Sequence, residues 1–157
     1  MYREFIGGTL ILMVILIALY IYQSVRRRRA RQEAELPDYE SLATEQLLFS
    51  CLYVATVFAE RPLERVWAYG LGGRGRARVG LSGLHLVIER TGERSIAIPR
   101  THIQEVRRGG ATIDRGVEKS GLVQILWSLG DYSLLTSLRI TSNQEQSYLK
   151  LRELIGV

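Results

Sequence analysis

A chain of 157 residues, 46% hydrophobic and 24% charged, has the size and balance of about one globular domain. Its single cysteine, Cys51, excludes an intramolecular disulfide and a CxxC metal site. The net charge of +5 is unevenly spread: residues 1–31 carry +5, residues 32–45 carry −5, and residues 46–157 carry +5.

The first element is apolar. Residues 5–25, FIGGTLILMVILIALYIYQSV, hold no charged residue. As a helix they would extend about 31 Å, enough for a hydrocarbon core of about 30 Å. Tyr20 and Tyr22 lie near the end, where amphipathic rings favour the interface. The run is longer than a signal-peptide core, and no small-x-small cleavage site precedes the arginines that follow. An uncleaved anchor is therefore expected. Arg26, Arg27, Arg28, Arg29 and Arg31 follow the span, whereas Arg3 precedes it beside Glu4. Basic excess marks the cytoplasmic side, so these five arginines predict a single-pass protein of the cell membrane, with its N-terminus outside and the rest cytoplasmic. Residues 1–31 are thus read as an anchor with a basic flank.

Residues 32–46 are polar and acidic, and Pro37 interrupts any helix begun at Arg26. They read as an acidic linker. A solvated spacer is the favoured role, and an electrostatic tether to the basic parts of the chain is the alternative. From Leu47 the pattern changes to strands. LLFSCLYVATVF is rich in aromatic and β-branched residues, and Cys51 within it reads as a small buried hydrophobe. RPLERVWAY is a short helix or a ragged strand. RARVGLSGLHLVIER divides at Ser82-Gly83 into a hairpin, with Leu84, Leu86 and Ile88 alternating with His85, Val87 and Glu89. SIAIP and HIQEVRR are further strands, GGATIDRGVEKSG is a loop, and LVQILWSL and YSLLTSLRIT form a second hairpin around Gly130-Asp131. About seven strands without alternating helices predict an antiparallel barrel or sandwich. Ser142 and Glu145 form the pattern of a capping box. Tyr148, Leu151, Leu154 and Ile155 would share one face of the closing helix, laid over an open end of the barrel.

GLGGRG, residues 70–75, matches the spacing of a dinucleotide loop. That loop needs a strand before it and a helix after it, so that the helix N-terminus meets the pyrophosphate. Here strand sequence follows, so the match is one of spacing only and no nucleotide cofactor is expected. Arg74, Arg76 and Arg78 beside it make a candidate contact for phosphate, carboxylate or lipid headgroups, weighed against a merely solubilising loop.

A short first strand, a run of antiparallel strands and one closing helix resemble a pleckstrin-homology-like (PH-like) domain, here placed at residues 47–157. RSIAIPRTHIQEV resembles a strand–turn–strand of bacterial PH-like domains. With PLERVWAYGLGGRGRARV, GLHLVIER, DRGVEKSGLVQILWSLGD and LLTSLRI, the chain is similar to a family of small actinobacterial membrane proteins. That family, formerly labelled export or membrane proteins, has one N-terminal span and one PH-like domain and is often encoded among pyrimidine and carbamoyl-phosphate synthesis genes. The resemblance implies fold and topology and transfers no catalytic residue.

The residue inventory argues against an enzyme. His85 and His102 read as structural, no HExxH or metal-spaced acidic cluster occurs, GLSG at residues 80–83 falls one residue short of a nucleophile elbow, and Trp67 and Trp127 read as packing residues. The expectation is a non-enzymatic, membrane-tethered binding or scaffold module whose partners are membrane lipid or an unknown protein. The alternative is a structural or assembly subunit of a membrane transport or export complex. Nucleic acid is not expected, since the domain excess is only +5 and no aromatic residue alternates with the arginines, and neither are a small-molecule substrate, a metal or a cofactor.

Overall fold

The computed structural model describes residues 2–109 and 121–156. Residues 110–120 of the expected loop, and with them most of the DRGVEKSG stretch in the family resemblance, lie outside the described residues.

Helix α1 (Tyr2–Glu35) is continuous. It is the one described helix long and apolar enough to cross a membrane by length and composition. Apart from Leu47, Leu63, Leu84 and Leu149, every exposed large hydrophobic side chain among the described residues lies on it. The helix passes through the arginine cluster and on to Glu35, then stops two residues before Pro37. Proline has no N–H to continue the ladder, and it disfavours helical backbone in the residue before it.

The domain is one antiparallel sheet. Its strands are β1 (Gln46–Phe58), β2 (Arg61–Arg65), β3 (Gly75–Ser82), β4 (His85–Arg90), β5 (Ile96–Pro99), β6 (Ile103–Gly109), β7 (Leu122–Leu129) and β8 (Tyr132–Arg139). The order is β5-β4-β3-β1-β8-β7-β6, with β2 paired to β1. Long β1 uses its first half against β3 and its second against β8, and its register shifts in both ladders, which lets the strand bend. The outermost strands β5 and β6 are joined by only Arg100–His102, so the sheet must curl until its two ends approach.

Both expected hairpins are present. Gly83 and Gly130 take positive φ at their turns, a conformation glycine adopts without steric cost. The alternation in β4 is less simple than its sequence suggests. Leu84 sits exposed in the turn instead of on the strand, and Val87 is buried along with Leu86 and Ile88. Both faces of this part of the sheet are covered, which gives a continuous apolar run.

The second cover comes from residues 36–45, the stretch read as a solvated spacer. Leu36 and Tyr39 belong to the hydrophobic core. The Ala97 N–H on edge strand β5 donates to the Glu40 carbonyl (3.1 Å), the Thr44 N–H donates to Glu89 Oε1 (2.7 Å), and Ser82 Oγ donates to Glu45 (3.0 Å). Arg94 pairs with Asp38 at 2.7 Å. A Cβ added to Gly80 would stand 2.1 Å from Thr44 Cγ2 and 2.5 Å from the Gln46 carbonyl oxygen, so strand β3 is bare there to let the segment cross. These residues form a strap that covers the β5 edge. The spacer reading fails for them because their acids find partners on the domain.

Helix α2 (Gln144–Ile155) closes the chain. Leu151 is fully buried, with Tyr148 and Leu154 packed against the core; the Ile155 side chain lies outside the described residues. The capping box does not form. The helix begins from Asn143 in the left-handed region (φ 50°), with no side-chain cap. Glu145 is instead paired with Arg108, whose guanidinium lies over the Tyr148 ring.

Inside the sheet, a polar chain ties distant elements. Trp127 Nε1 donates to Thr136 Oγ1 (2.9 Å), and the hydroxyls of Thr136 and Thr56 meet at 2.7 Å. Thr56 meets Tyr53 Oη at 2.6 Å, and Tyr53 donates to the Leu71 carbonyl at 2.7 Å. An indole only donates and a carbonyl only accepts, so every hydroxyl in the chain points from Trp127 towards Leu71.

Candidate functional site

The glycine–arginine loop joins a 3₁₀ turn (Ala68–Gly70) to β3. No helix follows its glycines, so no helix N-terminus faces them. Gly70 has a φ of +74°, and a Cβ there would lie 2.5 Å from Glu93 Oε2. A Cβ on Gly72 would strike the Trp67 ring at 2.7 Å. Both positions serve chain packing.

Arg74 is exposed in the turn before β3. Arg76 and Arg78 stand on the exposed face of that strand on either side of buried Ala77, as their spacing predicts. Arg78 is committed across the hairpin to Glu89, with Nη2 at 2.7 Å from Oε2. The Glu89 carboxyl is held below the usual carboxylate range, first by the Thr44 N–H and then by Arg78. The three arginines are therefore adjacent without being equivalent.

The arginines after the apolar run stand on the last three turns of α1 and are exposed. Arg29 pairs with Glu33 (2.8 Å) and Arg31 more loosely with Glu35 (4.0 Å). Immediately beyond them the helix is bound to the domain by contacts that sequence reading missed. Gln32 is buried. Its Oε1 accepts the N–H groups of Trp67 (2.6 Å) and Ala68 (3.3 Å), and its Nε2 donates to the Arg65 carbonyl (3.2 Å). The Tyr69 N–H donates to Glu33 Oε1 (3.1 Å), while the Tyr69 hydroxyl reaches the carbonyls of Leu36 (2.9 Å) and Glu33 (3.3 Å). Those carbonyls lie at the helix C-terminus, where no intrahelical donor remains. Tyr69 holds a φ of +52°, a strained value for a non-glycine residue, in the segment that clasps the helix.

Arg90 secures the same region from within. Its guanidinium is buried and donates to the carbonyls of Gly70 (2.6 Å) and Arg94 (2.7 and 3.2 Å) and to Tyr39 Oη (3.3 Å), with its centre 5.0 Å from the Tyr53 ring centroid. Strap, 3₁₀ turn and β4–β5 turn thus meet on one side chain.

Beside the clasp an open groove of about 960 Å³ runs between the end of α1 and β2. It is lined by Arg28, Arg31, Arg61 and Arg65, with Glu35, Glu64, Leu63 and Trp67. Among the described residues no group of three or more His, Cys, Asp or Glu side chains could hold a metal ion.

A curled antiparallel sheet closed by a C-terminal helix is the architecture the sequence resemblance implied, and a family model described as bacterial PH domain-like matches residues 33–153. The chain belongs to the bacterial PH domain-like family. The match begins within the last turn of α1, so the matched residues take in the strap as well as the strands. No curated protein and no solved structure matches the chain. PH-like domains are generally binding modules without catalytic activity, and a fold of this kind hosts unrelated ligands on different surfaces.

Proposed function

We propose that the chain is a non-enzymatic, membrane-tethered binding module. The apolar helix spans the cell membrane once with its N-terminus outside, and the PH-like domain works at the cytoplasmic face. There it docks anionic lipid headgroups or a protein partner, with Arg74, Arg76 and Arg78 as the candidate contact. The observation that carries this reading is the unbroken path of α1 from its apolar run through five arginines into the clasp at Gln32. Basic excess on the domain side favours the cytoplasmic orientation. A binding domain fixed so close to the end of a span meets whatever collects at that surface. Among the described residues the apolar window of α1 is not buried against the domain. That favours a second reading, a subunit of a membrane complex that shares the helix with other spans.

The test is capture of the tagged full chain in native nanodiscs, followed by analysis of the lipid and protein that accompany it. The Arg74→Ser/Arg76→Ser/Arg78→Ser variant is expected to lose bound anionic lipid or a defined partner. Identical lipid and protein profiles for variant and parent would remove these three residues from the contact.

A further inference from the structure

Resting on the membrane-tethered reading, we infer that the groove between α1 and β2 is a site for the phosphate of an anionic phospholipid headgroup, distinct from the glycine–arginine loop. Arg28, Arg31, Gln32 and Glu35 recur at helical spacing and form one stripe on α1, and all four line the groove opposite Arg61–Arg65 and Trp67. Four guanidiniums face two carboxylates there. Glu64 is held by Arg61 at 2.7 Å and Glu35 by Arg31 at 4.0 Å, while Arg28 has no acidic partner among the described residues. The groove is left with an excess of two positive charges. Guanidinium forks match phosphate oxygens bidentately.

Position selects a lipid as the source of that phosphate. Arg28 and Arg31 follow the last apolar residue, Val25, by three and six positions, about 5 and 9 Å along a helix. The headgroup layer extends about 5–8 Å beyond the hydrocarbon on each side, so the groove opens where headgroups lie. Leu63 projects from β2 at the groove wall and is 83% exposed. It is an apolar side chain between basic ones, suited to a layer that is both charged and partly apolar. The clasp at Gln32 and Tyr69 keeps the two walls in register. The groove volume falls within the range of small-ligand sites, roughly 300–1,000 Å³. The basic groove beside Arg78, about 560 Å³, is a weaker candidate. There Arg78, Arg90 and Arg94 face Glu89 and Glu93, and Arg94 is further paired with Asp38.

Trp67 lines the groove whereas Trp127 is buried, so tryptophan emission reports on occupancy. The full chain in neutral detergent micelles is titrated with short-chain phosphatidylglycerol, with short-chain phosphatidylcholine and with inorganic phosphate. A saturable change with phosphatidylglycerol alone is expected. Arg28→Gln/Arg31→Gln/Arg61→Gln should weaken it about a hundred-fold, from the worth of three arginines near an anionic surface. Glu64→Gln should tighten it by about fivefold, because one opposing charge is removed. Arg139→Gln, at an exposed position of β8 outside both sites, should leave it unchanged, and the loop substitutions Arg74→Ser/Arg76→Ser/Arg78→Ser are titrated in parallel to separate the groove from the loop. An equal response to phosphatidylcholine, or saturation by inorganic phosphate at the same concentration, overturns the lipid assignment. Binding that survives the groove substitutions but is lost with the loop substitutions removes the groove and leaves the loop reading standing. Absence of phosphatidylglycerol-specific binding overturns the groove assignment and the lipid arm of the loop reading, and leaves the protein partner to the nanodisc capture.

Discussion

At the residue scale, the hydrogen-bond chain from Trp127 to Leu71 makes the clearest stability prediction. Thr136→Val keeps the side-chain volume but removes both the acceptor of the indole N–H and the donor to Thr56. A buried donor left without a partner costs about 1–3 kcal/mol, and Trp127 is only 1% exposed. Thr136→Val should therefore lower stability by that amount in a denaturant melt. Thr56→Val added to it should cost less than it does alone, since the chain is already cut. Full additivity would mean that the four side chains do not act together. Cys51 is simpler. Burial pushes its thiol up to about 12, and the thiolate is the reactive form. The native chain should resist maleimide at neutral pH and react only after unfolding. That Cys51 and Trp127 are core residues was legible, because each sits in an apolar run. The commitment of Arg78 to Glu89 was not. It depends on the register of β3 against β4, which a spacing argument along one strand does not contain.

At the element scale, the hairpins and the closing helix were legible because period-two alternation, glycine turns and an apolar helical stripe each carry a local signal. The strap carried none. Its partners lie 37 to 56 residues away along the chain for Glu45 to Ser82, Thr44 to Glu89, Ser41 to Ser95 and Asp38 to Arg94. Without them an acidic, proline-containing stretch looks like a solvated spacer. The capping box failed for a related reason. Its local pattern is present, but the Glu145 carboxylate is taken by Arg108 on β6, a partner 37 residues away. The strap also carries a pH signature. The Glu89 carboxyl is lowered in the folded chain, so its contribution is present above the ordinary carboxylate range and is lost as pH falls through its folded value. Amide exchange of residues 40–45 should accelerate with acidification below that range, after correction for intrinsic rates. Glu89→Gln should show a shallower pH dependence there, and equal dependence in both proteins would separate the strap from this carboxylate. On α2, Leu151→Asp places an unpaired charge in a fully buried position and should cost a few kcal/mol, read as a lowered melting temperature. An unchanged melt would mean that the helix does not pack on the sheet.

At the scale of the whole molecule, the consequential difference between sequence and structure is the join between helix and domain. Charge blocks suggested a spacer at residues 32–46, whereas the structure carries α1 on to Glu35, ties it to the domain through Gln32, Glu33 and Tyr69, and lays residues 36–45 along the domain as the strap. A flexible spacer would let the domain sample many orientations. A clasped helix presents one face of the sheet, and one groove, at a fixed distance from the apolar run. The difference is measurable as a distance distribution. Spin labels at Tyr22→Cys and Leu84→Cys sit on exposed positions of the helix and of the β3–β4 turn, and buried Cys51 stays unlabelled. In nanodiscs the parent should give a single narrow distribution. Gln32→Ala/Tyr69→Phe removes the hydrogen bonds of Gln32 to Arg65, Trp67 and Ala68, together with the Tyr69 hydroxyl that reaches the end of α1. The Leu36 and Tyr39 packing that belongs to the core remains. That variant should broaden the distribution while the sheet stays folded, its melt lowered by about 1–3 kcal/mol for each buried N–H that loses Gln32. A broad distribution in the parent would restore the spacer. A narrow one in the variant would shift the join from these hydrogen bonds to the apolar packing of Leu36 and Tyr39.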